Sequence, residues 1–122
     1  MVIVSDRFFI TGGCSGEASQ LDDWHSLSLV TWEWSECNIA GDGPAPRDYP
    51  TMCNLGDQYI LLFGGFNNVH GEDTTFGDLF CMDLANEDGY CFRRLSFAGE
   101  EAPCDRYNHR SLVYDKKVSK MA

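Results

Sequence analysis

Apolar positions in this chain gather into short runs rich in aromatic and branched residues. Arg7 to Thr11 (RFFIT), Ser26 to Trp34 (SLSLVTWEW), Gln58 to Phe63 (QYILLF), Asp78 to Leu84 (DLFCMDL), Cys91 to Leu95 (CFRRL) and Arg110 to Tyr114 (RSLVY) are the main ones. Gly, Pro, Asn or Asp bounds each run, which is the signature of strands between turns. No window offers three turns of helical periodicity with a cap and a stop. The best attempt, Glu17 to Trp24, is too short and too polar. The pattern predicts an all-β chain.

The runs repeat. Phe8-Phe9-Ile10-Thr11-Gly12-Gly13 is answered by Leu61-Leu62-Phe63-Gly64-Gly65, with the glycine pairs 52 residues apart. Asp23-Trp24-His25-Ser26-Leu27-Ser28-Leu29 is answered by Asp78-Leu79-Phe80-Cys81-Met82-Asp83-Leu84 at an offset of 55, and Trp34 by Phe92 at 58. Pro44 and Arg47 are answered by Pro103 and Arg106, both at 59. Offsets that grow along the chain mean insertions in connections between fixed strands.

Pro-x-x-Arg, a strand, an apolar strand ending in Gly-Gly, an Asp-apolar strand and then a Trp resembles the kelch repeat, one four-stranded blade of a β-propeller. The resemblance covers nearly the whole chain. Phe92 stands where the family has Trp, and Ser28 where Asp83 supplies the family's acid. The resemblance implies antiparallel four-stranded kelch-type blades forming an incomplete propeller. Residues 1–46 are then a partial first blade and linker, lacking its first strand, 47–95 a complete blade, and 96–122 the start of a third with a basic tail. Propellers close with four to eight blades, so the expectation is a fragment of a longer protein, a truncated product, or a small open sheet. Glycines at strand ends let a neighbouring backbone approach where a Cβ would clash. Trp34 is expected to fill the wedge between blades.

Charge narrows the partners. Nineteen acids against nine bases give a net charge of -10, which argues against nucleic acid or an anionic membrane surface. The longest strictly apolar run is Tyr59 to Phe63, far short of the ~20 residues a spanning helix needs. The N-terminus lacks the basic and apolar regions of a secretory signal. Six dispersed cysteines without a C-x-x-C read as reduced thiols, several serving as small core hydrophobes, with unrecognised disulfides the alternative. A cytoplasmic setting follows from this reading.

Candidate chemistry is sparse. Gly12-Gly13-Cys14-Ser15-Gly16 contains a Gly-x-Cys-x-Gly after a strand, but the nucleophile elbow needs a helix next and a polar loop follows. His25, His70 and His109 lack partners at metal spacing. No cofactor and no metal is expected. Arg47 and Arg106 are the residues to single out. Each guanidinium could hold a loop carbonyl or carboxylate at the blade edge, or reach a partner's carboxylate on the face where propeller loops dock. Asn67, Asn68, His70, Glu72 and Asp73, read as a long polar loop between the second and third strands, would add adaptable hydrogen bonds. The leading function is a module binding another protein, one with an exposed acidic segment. The alternatives are a piece of a kelch-like propeller enzyme, of oxidase or sugar-epimerising type, and a structural remnant without activity.

Overall fold

The computed structural model describes residues 1–16, 19–69, 71–96, 102–114 and 117–121. Eleven strands form three sheets among them. The first sheet is an antiparallel meander of β1 (Val2–Val4), β2 (Arg7–Thr11), β3 (Trp24–Ser28) and β4 (Trp34–Glu36). The second carries β6 (Thr51–Leu55), β7 (Tyr59–Val69), β8 (Glu72–Asp83) and β9 (Tyr90–Leu95) in the same order. Its outer edge is extended by β5 (Ile39–Ala40), which joins β9 in parallel. A hairpin of β10 (Arg110–Tyr114) and β11 (Lys117–Met121) makes the third.

Three expectations need correction. The first sheet has the strand it was expected to lack: β1, only three residues long, pairs Val2 to Val4 with Phe9 to Arg7. The run from Ser26 to Trp34 is a hairpin, not one strand. Ser28 Oγ accepts the amides of Val30 and Thr31, each at 3.2 Å, and Trp32 takes a positive φ of 61°. A hydroxyl that captures nearby amides turns the chain in spite of its strand-forming residues. Third, Asn67 to Val69 and Glu72 to Asp73 belong to two long strands rather than to a loop. A bulge between Phe63 and Gly65 lets β7 continue past the glycine pair, and Asn67, Asn68 and Val69 pair with Thr74, Asp73 and Glu72.

The core lies between the two large sheets. Val4, Phe9 and Trp24 of the first pack against Ile60, Leu62, Met82 and Tyr90 of the second. Trp24 meets Phe92 at 5.2 Å and Phe9 meets Tyr90 at 6.2 Å between ring centroids. The wedge is therefore filled by Trp24, 3% exposed, and not by Trp34, which is 56% exposed. On the far face of the second sheet Cys53, Leu61 and Cys81 are buried with Leu79, Leu95 and Val113 around them. All six cysteines are free thiols, and burial pushes those of Cys53 and Cys81 above their ordinary range.

The glycine pairs join one sheet to the next. Arg47 O accepts the amide of Gly13 at 3.0 Å, and Arg106 O accepts that of Gly65 at 2.9 Å. A Cβ on Gly12 would sit 2.6 Å from Arg47 O, and one on Gly64 would strike Arg106 O. Both glycines also hold φ near +70°, a region costly to other residues. The same clamp thus recurs at both junctions.

Candidate functional site

The two junction loops, residues 44–50 and 102–109, lie beside the long β7–β8 hairpin. Asp48 and Phe66 exchange backbone hydrogen bonds, Arg106 N donates to Phe76 O, and Asn108 N donates to Tyr49 O. These bonds bring two sequence-distant loops onto one end of the second sheet.

Arg47 is inside this assembly. It is 2% exposed, and its guanidinium donates to Asp78 through Nη1 at 2.6 Å and Nη2 at 3.2 Å. Nη1 also reaches Gly64 O at 2.9 Å, Nε reaches Ala45 O at 3.0 Å, and Cζ lies 3.9 Å from the Phe76 ring centre. The fork geometry of arginine satisfies a bidentate carboxylate and two carbonyls together. The docking expectation for Arg47 is corrected accordingly: its charge is spent within the fold. Arg106 repeats only part of this arrangement. Its Nε donates to Cys104 O at 3.1 Å, as Arg47 does to Ala45, while Nη2 turns back to Cys104 Sγ at 3.3 Å. Arg106 is half-buried and stays within reach of the surface.

The remaining candidates divide. Asn67 is buried, donating from Nδ2 to Pro46 O at 2.5 Å, so it braces the junction loop and is also withdrawn from the surface. Asn68 is exposed, but its Nδ2 is tied to Asp73 and its backbone amide to Gln20 Oε1 at 3.2 Å. Glu72 and Asp73 are exposed at the hairpin end. His70 lies outside the described residues. Cys14, exposed, bridges Gln20 in a loop closed by Ser15 N donating to Ser19 O, in keeping with a repeat glycine pair and an incidental thiol.

Sequence reasoning missed three aromatics that the structure gathers here. Tyr49 is 59% exposed and Tyr107 48%, with ring centroids 6.2 Å apart, and Phe66 backs Tyr107 at 5.1 Å. The signal was present in the repeat itself, since an aromatic follows each singled-out arginine within two residues. Among the described residues no group of His, Cys, Asp or Glu is arranged to hold a metal ion. None of the described residues forms a helix long and apolar enough to cross a membrane.

Four-stranded twisted meanders stacked face to face, each with its short first strand at one edge and glycine pairs at the junctions, are the blades of a kelch-type β-propeller. Here they make an open, incomplete wheel. The KLHDC2/KLHL20/DRC7 Kelch-repeats domain model matches residues 1–121, and the chain belongs to that family. It is similar to acyl-CoA-binding domain-containing protein 5 of Arabidopsis thaliana, 33% identical over 113 residues, covering 93% of this chain and 16% of that protein. It also resembles kelch domain-containing protein 2 of Bos taurus, 35% identical over 63 residues, covering 52% of this chain and 15% of the relative. The chain thus spans about a sixth of the length of these relatives. The solved structure of YjhT superposes with a TM-score of 0.68 at 22% identity, over 96% of this chain and 31% of that one, a likeness of fold.

Proposed function

We propose that this chain is a binding segment of a kelch propeller rather than an enzyme, offering its junction loops and the β7–β8 hairpin to a partner protein. The observation that carries the reading is the pair Tyr49 and Tyr107, two large exposed side chains on loops pinned by backbone hydrogen bonds. Tyrosine supplies contact area at low cost in conformational freedom and is enriched where binding energy concentrates. A cytoplasmic setting belongs to this reading, supported by six free thiols. The acidic-segment partner expected earlier loses one of its two anchors, because Arg47 is buried against Asp78.

A photo-crosslinking residue at position 49 or 107 of the full-length protein, expressed in its source cells, tests the proposal. Adducts with a discrete protein are expected at these positions and absent from a control at Glu33, in the turn between β3 and β4 of the first sheet. Equal labelling at all three positions, or none, would overturn it.

A further inference from the structure

Resting on that reading, we infer that the Tyr49–Tyr107 surface takes an arginine-bearing segment of its partner, with the guanidinium stacked on the tyrosine faces and paired to nearby carboxylates. Three observations converge. The first is charge. With Arg47 neutralised by Asp78, the junction loops and the hairpin present Glu72, Asp73 and Asp105 against Arg106, while Asp48 is buried beneath them. One oxygen of Asp73 is engaged by Asn68, so this exposed carboxylate keeps capacity to accept. The local balance is acidic and favours a cation.

The second is precedent inside the molecule. Within the fold Arg47 Cζ lies over the Phe76 ring, 3.9 Å from its centre, while Asp78 grips the guanidinium through two bonds. Aromatic face plus carboxylate is a combination that selects arginine over lysine, because only the planar guanidinium can stack and fork at once.

The third is the backbone at Tyr49. It holds φ at 52°, and its counterpart one repeat later, Asn108, holds 55°. Asparagine visits this left-handed region readily and tyrosine does not. Replacing asparagine's easy fit with a ring that stays 59% exposed gains the fold little packing in return. The strain places an aromatic face outward, which is the form strain takes at binding sites.

The test uses the ¹⁵N-labelled chain and short Arg-Gly-Ser repeat peptides, with Lys and Glu versions of the same length. The arginine peptide should shift the amides of Asp48, Tyr49, Phe66 and Tyr107, and bind several-fold tighter than the lysine peptide. Tyr49→Asn should weaken it by about fivefold while raising the melting temperature by about 2–4 °C, and Tyr49→Phe should keep the affinity. A residue with only a structural role would not separate stability from binding in this way. Equal binding of arginine and lysine peptides, or indifference to Tyr49→Asn, overturns the inference. Tighter binding of the glutamate peptide at the same amides also overturns it, yet leaves the docking face standing. If no peptide reaches these amides and crosslinking at position 49 gives no adduct, both fail.

Discussion

The first and second sheets carry the same row of residues in opposite circumstances. Phe8, Leu27 and Trp34 lie side by side across the first sheet, with Ile3 at its edge, and Ile60, Met82 and Phe92 hold the matching register in the second. Ile60 and Met82 are fully buried because Val4, Phe9 and Trp24 of the first sheet lie over them. Ile3 and Trp34 are exposed, and Trp34 has Phe8 as its ring neighbour at 6.2 Å. The residues are alike, so the neighbour makes the difference. Hydrophobic patterning states which face of a sheet is apolar, while the next sheet decides how much that face contributes to stability.

The sharpest test exchanges the two tryptophans' expected importance. Trp24→Ala should cost about 3–5 kcal/mol in chemical denaturation, because its indole is enclosed between sheets, while Trp34→Ala should cost under about 1 kcal/mol. Similar losses at both sites would mean that the first sheet's outer face is covered in solution. The two arginines form a second such contrast. Arg47→Met strands the carboxylate of Asp78 and should cost about 3–5 kcal/mol, most of it recovered in Arg47→Met/Asp78→Leu, whereas Arg106→Met should cost about 1 kcal/mol or less.

Smaller effects follow. Phe92→Trp should change stability by no more than about 1 kcal/mol, since the ring borders an open cleft of about 710 Å³ between the sheets. A larger loss would place Gly43, whose Cβ position is 3.4 Å from the Phe92 ring, as the limiting contact. Least in energy is the thiol contrast. Cys53 and Cys81 are raised by burial, so the unfolded chain loses those protons first, and stability should fall as pH climbs above about 9. Below that pH the contribution is fully present. Thiol reagents at about pH 8 should modify Cys14, Cys91 and Cys104 well before these two.

Much of this was legible in the chain because local chemistry and long-range packing agree there. Phe8 to Thr11 and Tyr59 to Phe63 are strands flanked by turn residues, and Gly12 and Gly64 show their purpose in the carbonyl each receives. Legibility failed where a single polar atom or a distant neighbour decides. The Ser28 hydroxyl turns a stretch of strand formers, and the hairpin beyond Gly65 is held by backbone bonds that leave no apolar trace. Trp24 follows Asp22 and Asp23, a polar setting that hides a core residue until the second sheet is laid over it. At the site, the repeat exposed both arginines but not their separate fates. Asp78 lies 31 residues beyond Arg47 and claims it, and the aromatics beside each arginine became a pair only once the two loops met.

Arg47 has a consequence for how the molecule comes apart. A linear stack of repeats melts according to how strongly each unit is coupled to the next. Arg47 takes part in two couplings at once: its carbonyl holds Gly13 of the first sheet, while its side chain holds Gly64 and Asp78 of the second. Detaching the first sheet therefore disturbs the loop that seats a buried ion pair in the other. At the next junction the Arg106 carbonyl holds Gly65 in the same way, but the guanidinium folds back on Cys104. Cooperativity is accordingly unequal along the chain: the two large sheets should lose amide protection together, and β10 should exchange ahead of them.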